Sequence, residues 1–175
     1  MNTYPRFLPC QNRAGAEIHG MVTARILPSF RLPDGRGGTV GSEDHLQQRD
    51  MLVAILHPSC AACRAAQGAL ARRGAEVRAR GAAALAVMIG PPPAAAPPAP
   101  ALPCGFDATG QVAALLALRL ELPPGEARVV AADRFGRVYA TLPVHGRPAE
   151  DVAADALDWL DFVQWQCPEC GAPEW

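Results

Sequence analysis

At 175 residues the chain has the length of one ordinary domain, and its 50% hydrophobic content is sufficient to form a core. Ala supplies 34 of the 87 hydrophobic residues, against 38 from Leu, Ile, Val and Phe together, so the core is small and economical. All 16 basic residues are Arg, which excludes Schiff-base lysines, Walker-type phosphate loops and kinase-style lysine contacts, while a net charge of −1 argues against a basic nucleic-acid-binding domain.

The charge is unevenly placed. Residues 1–147 carry 16 Arg and 10 acids, whereas residues 148–175 carry seven acids and no Arg. An acidic final helix packing on, or lying beside, an Arg-rich body is the expected explanation of this split, with a partner-recognition tail as its alternative. No run reaches the roughly 18 apolar residues of a membrane span; the best is Ala82 to Ile89. Tyr4, Pro5, Pro9 and Cys10 leave no apolar stretch for a signal peptide, so the expectation is a soluble cytoplasmic protein without membrane or nucleic-acid partners.

Residues 1–25 lack a period and read as an irregular arm. Phe30 and Leu32 alternate before Asp34-Gly35, and Thr39-Val40 returns, which predicts a small hairpin. Residues 42–49 predict a short helix capped by Ser42. Met51 to Leu56 is a continuous apolar run stopped by His57-Pro58, the pattern of a strand buried on both faces. Ser59 is the expected cap of a helix from Ala61 to about Arg73, with Gly74 as its stop. Ala83 to Ile89 is the next buried strand, completing a βαβ unit with parallel strands.

Six prolines between Pro91 and Pro100 predict a stiff surface loop. Gln111 to Leu120 reads as a helix, broken at Pro123-Pro124-Gly125. Arg128 to Ala132 and Arg137 to Leu142 flank Asp133-Arg-Phe-Gly136 as an antiparallel hairpin. Ala149 to about Gln164 is the final helix, with Val152, Ala156, Leu160 and Val163 on one side; packing of this helix also accounts for Trp159, Phe162 and Trp165.

Six cysteines stand at 10, 60, 63, 104, 167 and 170, four of them in two Cys-x-x-Cys pairs. Cys60-Ala-Ala-Cys63 falls where the first core strand ends and its helix begins. There, unpaired backbone N–H groups and the helix dipole favour a thiolate at Cys60. Cys63, one turn on, is placed to resolve a mixed disulfide. Cys167-Pro-Glu-Cys170-Gly171 reads in three ways: a redox relay dithiol, half of a zinc knuckle lacking two ligands nearby, or an inert disulfide. No other cofactor is expected. Cys10 and Cys104 are read as buried small apolar residues, and among His19, His45, His57 and His145 only His57, three residues before Cys60, is drawn into the site. The acidic final helix is also a candidate to dock the second dithiol on Arg64, Arg72 and Arg73.

Three stretches resemble the thioredoxin-like fold in its redoxin branch: Pro28-Ser-Phe-Arg-Leu-Pro-Asp-Gly35, His57-Pro-Ser-Cys-Ala-Ala-Cys63 and Ala132-Asp-Arg-Phe-Gly-Arg-Val138. The resemblance implies an α/β three-layer domain over residues 26–165, with a central mixed sheet of four to five strands flanked by helices. An N-terminal hairpin extends it, and residues 166–175 form a tail. It further implies thiol-disulfide exchange at Cys60, with protein or small-molecule disulfides as substrates and a thiol as electron donor. Peroxide reduction is the rival chemistry, although Val53 and His57 stand where peroxiredoxins carry Pro and Thr or Ser. A third reading is a zinc-stabilised, non-catalytic interaction module. Ser59 replaces the Trp of thioredoxins and Ala54 their buried carboxylate, leaving His57 to handle protons and Pro124 as the candidate for their cis-proline.

Overall fold

The computed structural model describes residues 25–93 and 102–166. The arm before Arg25, most of the Pro-rich loop, and the Cys167-Cys170 pair lie outside them, as do Cys10 and His19.

Strand β3 (Met51–Leu56) is the spine, with all six residues buried. It pairs in parallel with β4 (Ala83–Ile89) on one side and antiparallel with β6 (Arg128–Ala132) on the other. β5 (Cys104–Asp107) adds in parallel to β4, and β7 (Val138–Pro143) antiparallel to β6, giving the mixed order β5-β4-β3-β6-β7. The hairpin β1 (Arg31–Pro33) and β2 (Thr39–Gly41) forms a separate two-stranded sheet.

Alternation along β3 creates two cores because successive side chains point to opposite faces. Leu52, Ala54 and Leu56 face α1 (Ala61–Arg72), α2 (Gly74–Ala79) and α4 (Ala149–Trp165). Met51, Val53 and Ile55 face α3 (Gln111–Leu120), through Leu116 and Leu120, and the hairpin, through Phe30 and Leu32. Three layers result. The abundant Ala is used between α1 and α4, where Ala66, Ala69, Ala153 and Ala156 are all at most 1% exposed.

The charge split is also structural. Glu150 in the first turn of α4 pairs with Arg72 and Arg73, Asp155 with Arg147, and Asp161 with Arg80. These are partly exposed, solvent-screened pairs, so they orient α4 more than they stabilise it. Val152, Ala156, Leu160 and Val163 are buried as their spacing predicts. Trp159 packs edge-on to Phe162, but Trp165 is 86% exposed and does not join that packing.

Four local features differ from the sequence reading. Residues 42–49 make only a 3₁₀ turn at Ser42–Asp44, because the buried Ser42 hydroxyl accepts from the Phe30 N–H and donates to the Pro28 carbonyl instead of capping a helix. Gly74 begins α2 and does not end the helical region; the break falls at Arg73. β5 carries little sequence signal, since Gly105 interrupts it. The glycine is required there, because a Cβ would lie 2.7 Å from the Leu32 Cβ of the hairpin crossing above. The fourth concerns the cap of α1 and belongs to the site.

Candidate active site

His57-Pro58 follows the end of β3 at Leu56, and the Cys60 N–H closes a turn onto the His57 carbonyl at 3.2 Å. Cys60 is extended (φ −82°, ψ 124°) and is itself the cap of α1 in place of Ser59: its sulfur accepts the Cys63 N–H at 3.2 Å. Capping by sulfur fixes the thiol over the positive end of the helix. Cys60 is partly exposed, whereas Cys63, which faces the sheet from the first turn, is fully buried.

The imidazole at the sulfur belongs to His145, with Nε2 3.3 Å from Cys60 Sγ. β3 and β7 are both antiparallel to β6 and therefore end on the same side of the sheet. The segment after β7 thus returns beside the start of α1. Val144 anchors it through its N–H on the Ala127 carbonyl, and Gly146, at φ +76°, turns the chain toward α4. Sequence distance concealed His145; combining the predicted β6–β7 hairpin with an antiparallel β3–β6 pairing reveals it.

His57 takes a different partner. Its Nε2 lies 3.0 Å from the Gly125 carbonyl, an acceptor only, so this nitrogen carries the proton and the ring ties the Pro123–Gly125 turn to the end of β3. No cis peptide bond occurs among the described residues, and Pro124 lines a hollow with His57, Ile55 and Ile89 on the α3 side. The Arg64 guanidinium donates to the Pro58 carbonyl at 3.0 Å. Arg72 and Arg73 hold the start of α4, leaving them engaged with Glu150.

These contacts divide the two thiols. Hydrogen bonds from the Cys63 thiol and the Cys63 backbone N–H, followed by one from His145, lower the Cys60 pKa to about 7. Burial, followed by the adjacent Cys60 sulfur, raises that of Cys63 to about 11. Near neutral pH the thiolate is therefore carried by Cys60 in preference to Cys63. An attacking thiol with a pKa near ambient pH combines thiolate population with nucleophilicity. Cys104 stands apart and is buried as expected; Gln67 donates to its sulfur at 2.9 Å, and burial raises its pKa.

No family model matches the chain, and no curated protein matches it. Solved structures do. One is a Chlorobium tepidum protein assigned as the thiol:disulfide interchange protein DsbE, 22% identical, covering 78% of this chain and 94% of its own at a TM-score of 0.61. Peroxidoxin BcpB from Mycobacterium tuberculosis is 18% identical, covering 80% and 96% at 0.62. A secreted thiol-disulfide isomerase from Corynebacterium glutamicum is 19% identical, covering 77% and 85% at 0.59. At these identities the likeness is one of architecture, and it agrees with the five-stranded mixed sheet, its flanking helices and the βαβ unit at its centre. The chain has the thioredoxin-like fold.

Proposed function

We propose that the protein is a thiol-disulfide oxidoreductase with Cys60 as nucleophile and Cys63 as resolving thiol. The carrying observation is the sulfur of Cys60 at the start of α1, between the Cys63 N–H and His145 Nε2. In the first step the Cys60 thiolate attacks one sulfur of a substrate disulfide. A Cys60–substrate disulfide forms, the substrate S–S bond breaks, and the other half leaves as a thiolate. Cys63 then loses its proton and attacks Cys60 Sγ, releasing the second substrate thiolate and leaving a Cys60–Cys63 disulfide. Two electrons have passed to the substrate. A thiol donor restores the dithiol, and this reading assigns Cys167-Cys170 to that supply. Protein or small-molecule disulfides are the substrate class.

His145 favours the Cys60 thiolate and is positioned to return a proton to a leaving thiolate. The fold supports the reading because solved structures sharing it are described as thiol-disulfide proteins. Dithiol-driven reduction of a model protein disulfide tests it. Turnover is expected in the wild type and abolished in Cys60→Ser, with Cys63→Ser trapping mixed disulfides. Undiminished turnover in Cys60→Ser overturns the assignment, and hydroperoxide consumption faster than disulfide reduction transfers it to peroxide chemistry.

A further inference from the structure

The ligand atoms of Cys60, Cys63 and His145 all lie within 4.8 Å of one another, and the three residues run from buried Cys63 through partly exposed Cys60 to exposed His145. Two sulfurs and one imidazole nitrogen are donors for a soft cation, and a copper or zinc ion held at about 2.0–2.3 Å from each needs donor separations of roughly 3.5–4 Å. Small side-chain rotations satisfy this. The donors come from the cap and first turn of α1, which follows β3, and from the segment after β7, so the backbone arrangement exists before any ion arrives.

We propose that the reduced protein binds one Cu(I) ion in a three-coordinate site formed by Cys60 Sγ, Cys63 Sγ and His145 Nε2. Donor type selects the ion: two thiolates and one imidazole complete a three-coordinate shell for monovalent copper, whereas zinc on the same three ligands needs a fourth from water or substrate to complete its tetrahedron. Binding replaces the thiol protons of both cysteines with the metal, two protons leaving per ion if both begin as thiols, and copper stays monovalent throughout. A Cys60–Cys63 disulfide has no thiolate to offer. The ion and the disulfide are therefore mutually exclusive occupants of one pair of sulfurs. The exposed imidazole is the ligand through which a partner or chelator can approach. This site is independent of turnover: it requires the geometry of the three side chains and no reaction at Cys60.

The test uses the full chain carrying Cys167→Ser and Cys170→Ser, so that the second pair cannot bind metal. After anaerobic phosphine reduction, Cu(I) alone is titrated in competition with a coloured Cu(I) chelator, and X-ray absorption reads the ligands. Expected are one Cu(I) per chain with two sulfurs and one nitrogen, loss of that ion in Cys60→Ser, and affinity weakened about tenfold or more in His145→Ala. Both variants alter exposed or partly exposed side chains, and unchanged circular dichroism establishes that they fold. Wild-type affinity in folded His145→Ala overturns the proposal. So does retention of copper by Cys60→Ser, or displacement of Cu(I) by an equal concentration of Zn(II).

Discussion

The two sulfurs of Cys60 and Cys63 are three residues apart, yet their local settings push their acidities in opposite directions. The sign of the resulting pH dependence follows from the lowered group. Below about pH 7 Cys60 is protonated and slow; through that value its thiolate population rises, and alkylation by iodoacetamide should rise with it and then level. In His145→Ala one of the hydrogen bonds that lower this pKa is gone, so the midpoint should move upward; mass spectrometry of Cys60 carbamidomethylation across pH 5–10 measures both profiles. His57→Ala should leave that midpoint in place, because its ring holds the Gly125 carbonyl. The sequence made Cys60 legible, since a Cys-x-x-Cys after a buried strand declares itself locally. It did not make His145 legible, because its placement depends on three strands alternating in direction, a long-range property invisible in any window around residue 145.

Elements were legible in proportion to their length and periodicity. β3, β4, α3 and α4 have long apolar or periodic stretches, and their expected spans hold nearly to the residue. β5 was not legible because four residues with a glycine give no period, and its existence depends on an open edge of β4 supplied elsewhere. The turn after β5 has its own anchor. Asp107 is 2% exposed and its carboxylate accepts the Ala113 N–H at 2.7 Å, while its carbonyl accepts from Gly90 and Gly110. Asp107→Ala removes the acceptor for a helix-start N–H and should cost about 1–2 kcal/mol of stability, read by urea unfolding. Between α1 and α4 the constraint is steric. Ala156 is fully buried against the sheet side of the bundle, and Ala156→Leu should destabilise by about 1–3 kcal/mol through overpacking, whereas Leu160→Ala should lose about 2–5 kcal/mol through a cavity.

At the scale of the whole molecule, the charge arithmetic of the sequence corresponds to α4 lying along the body, with Glu150 on Arg72 and Arg73. That contact fixes the beginning of α4. Its end goes elsewhere: Gln164 donates to the Arg80 carbonyl, and Gln166 lines a hollow with Asp50 and Gly81, beside the first residues of β3 and β4. Cys60 follows the other end of β3, about 17–20 Å away along the strand. Gln166 thus stands toward the opposite end of β3 from Cys60, and the concentration dependence of electron transfer between the two dithiols distinguishes its two routes. A rate independent of protein concentration identifies exchange within one molecule. A rate that rises with concentration, and transfer that returns when Cys60→Ser is mixed with the Cys167→Ser, Cys170→Ser double variant, identifies exchange between two molecules, in which case how fast the protein recharges depends on how crowded it is with its own kind.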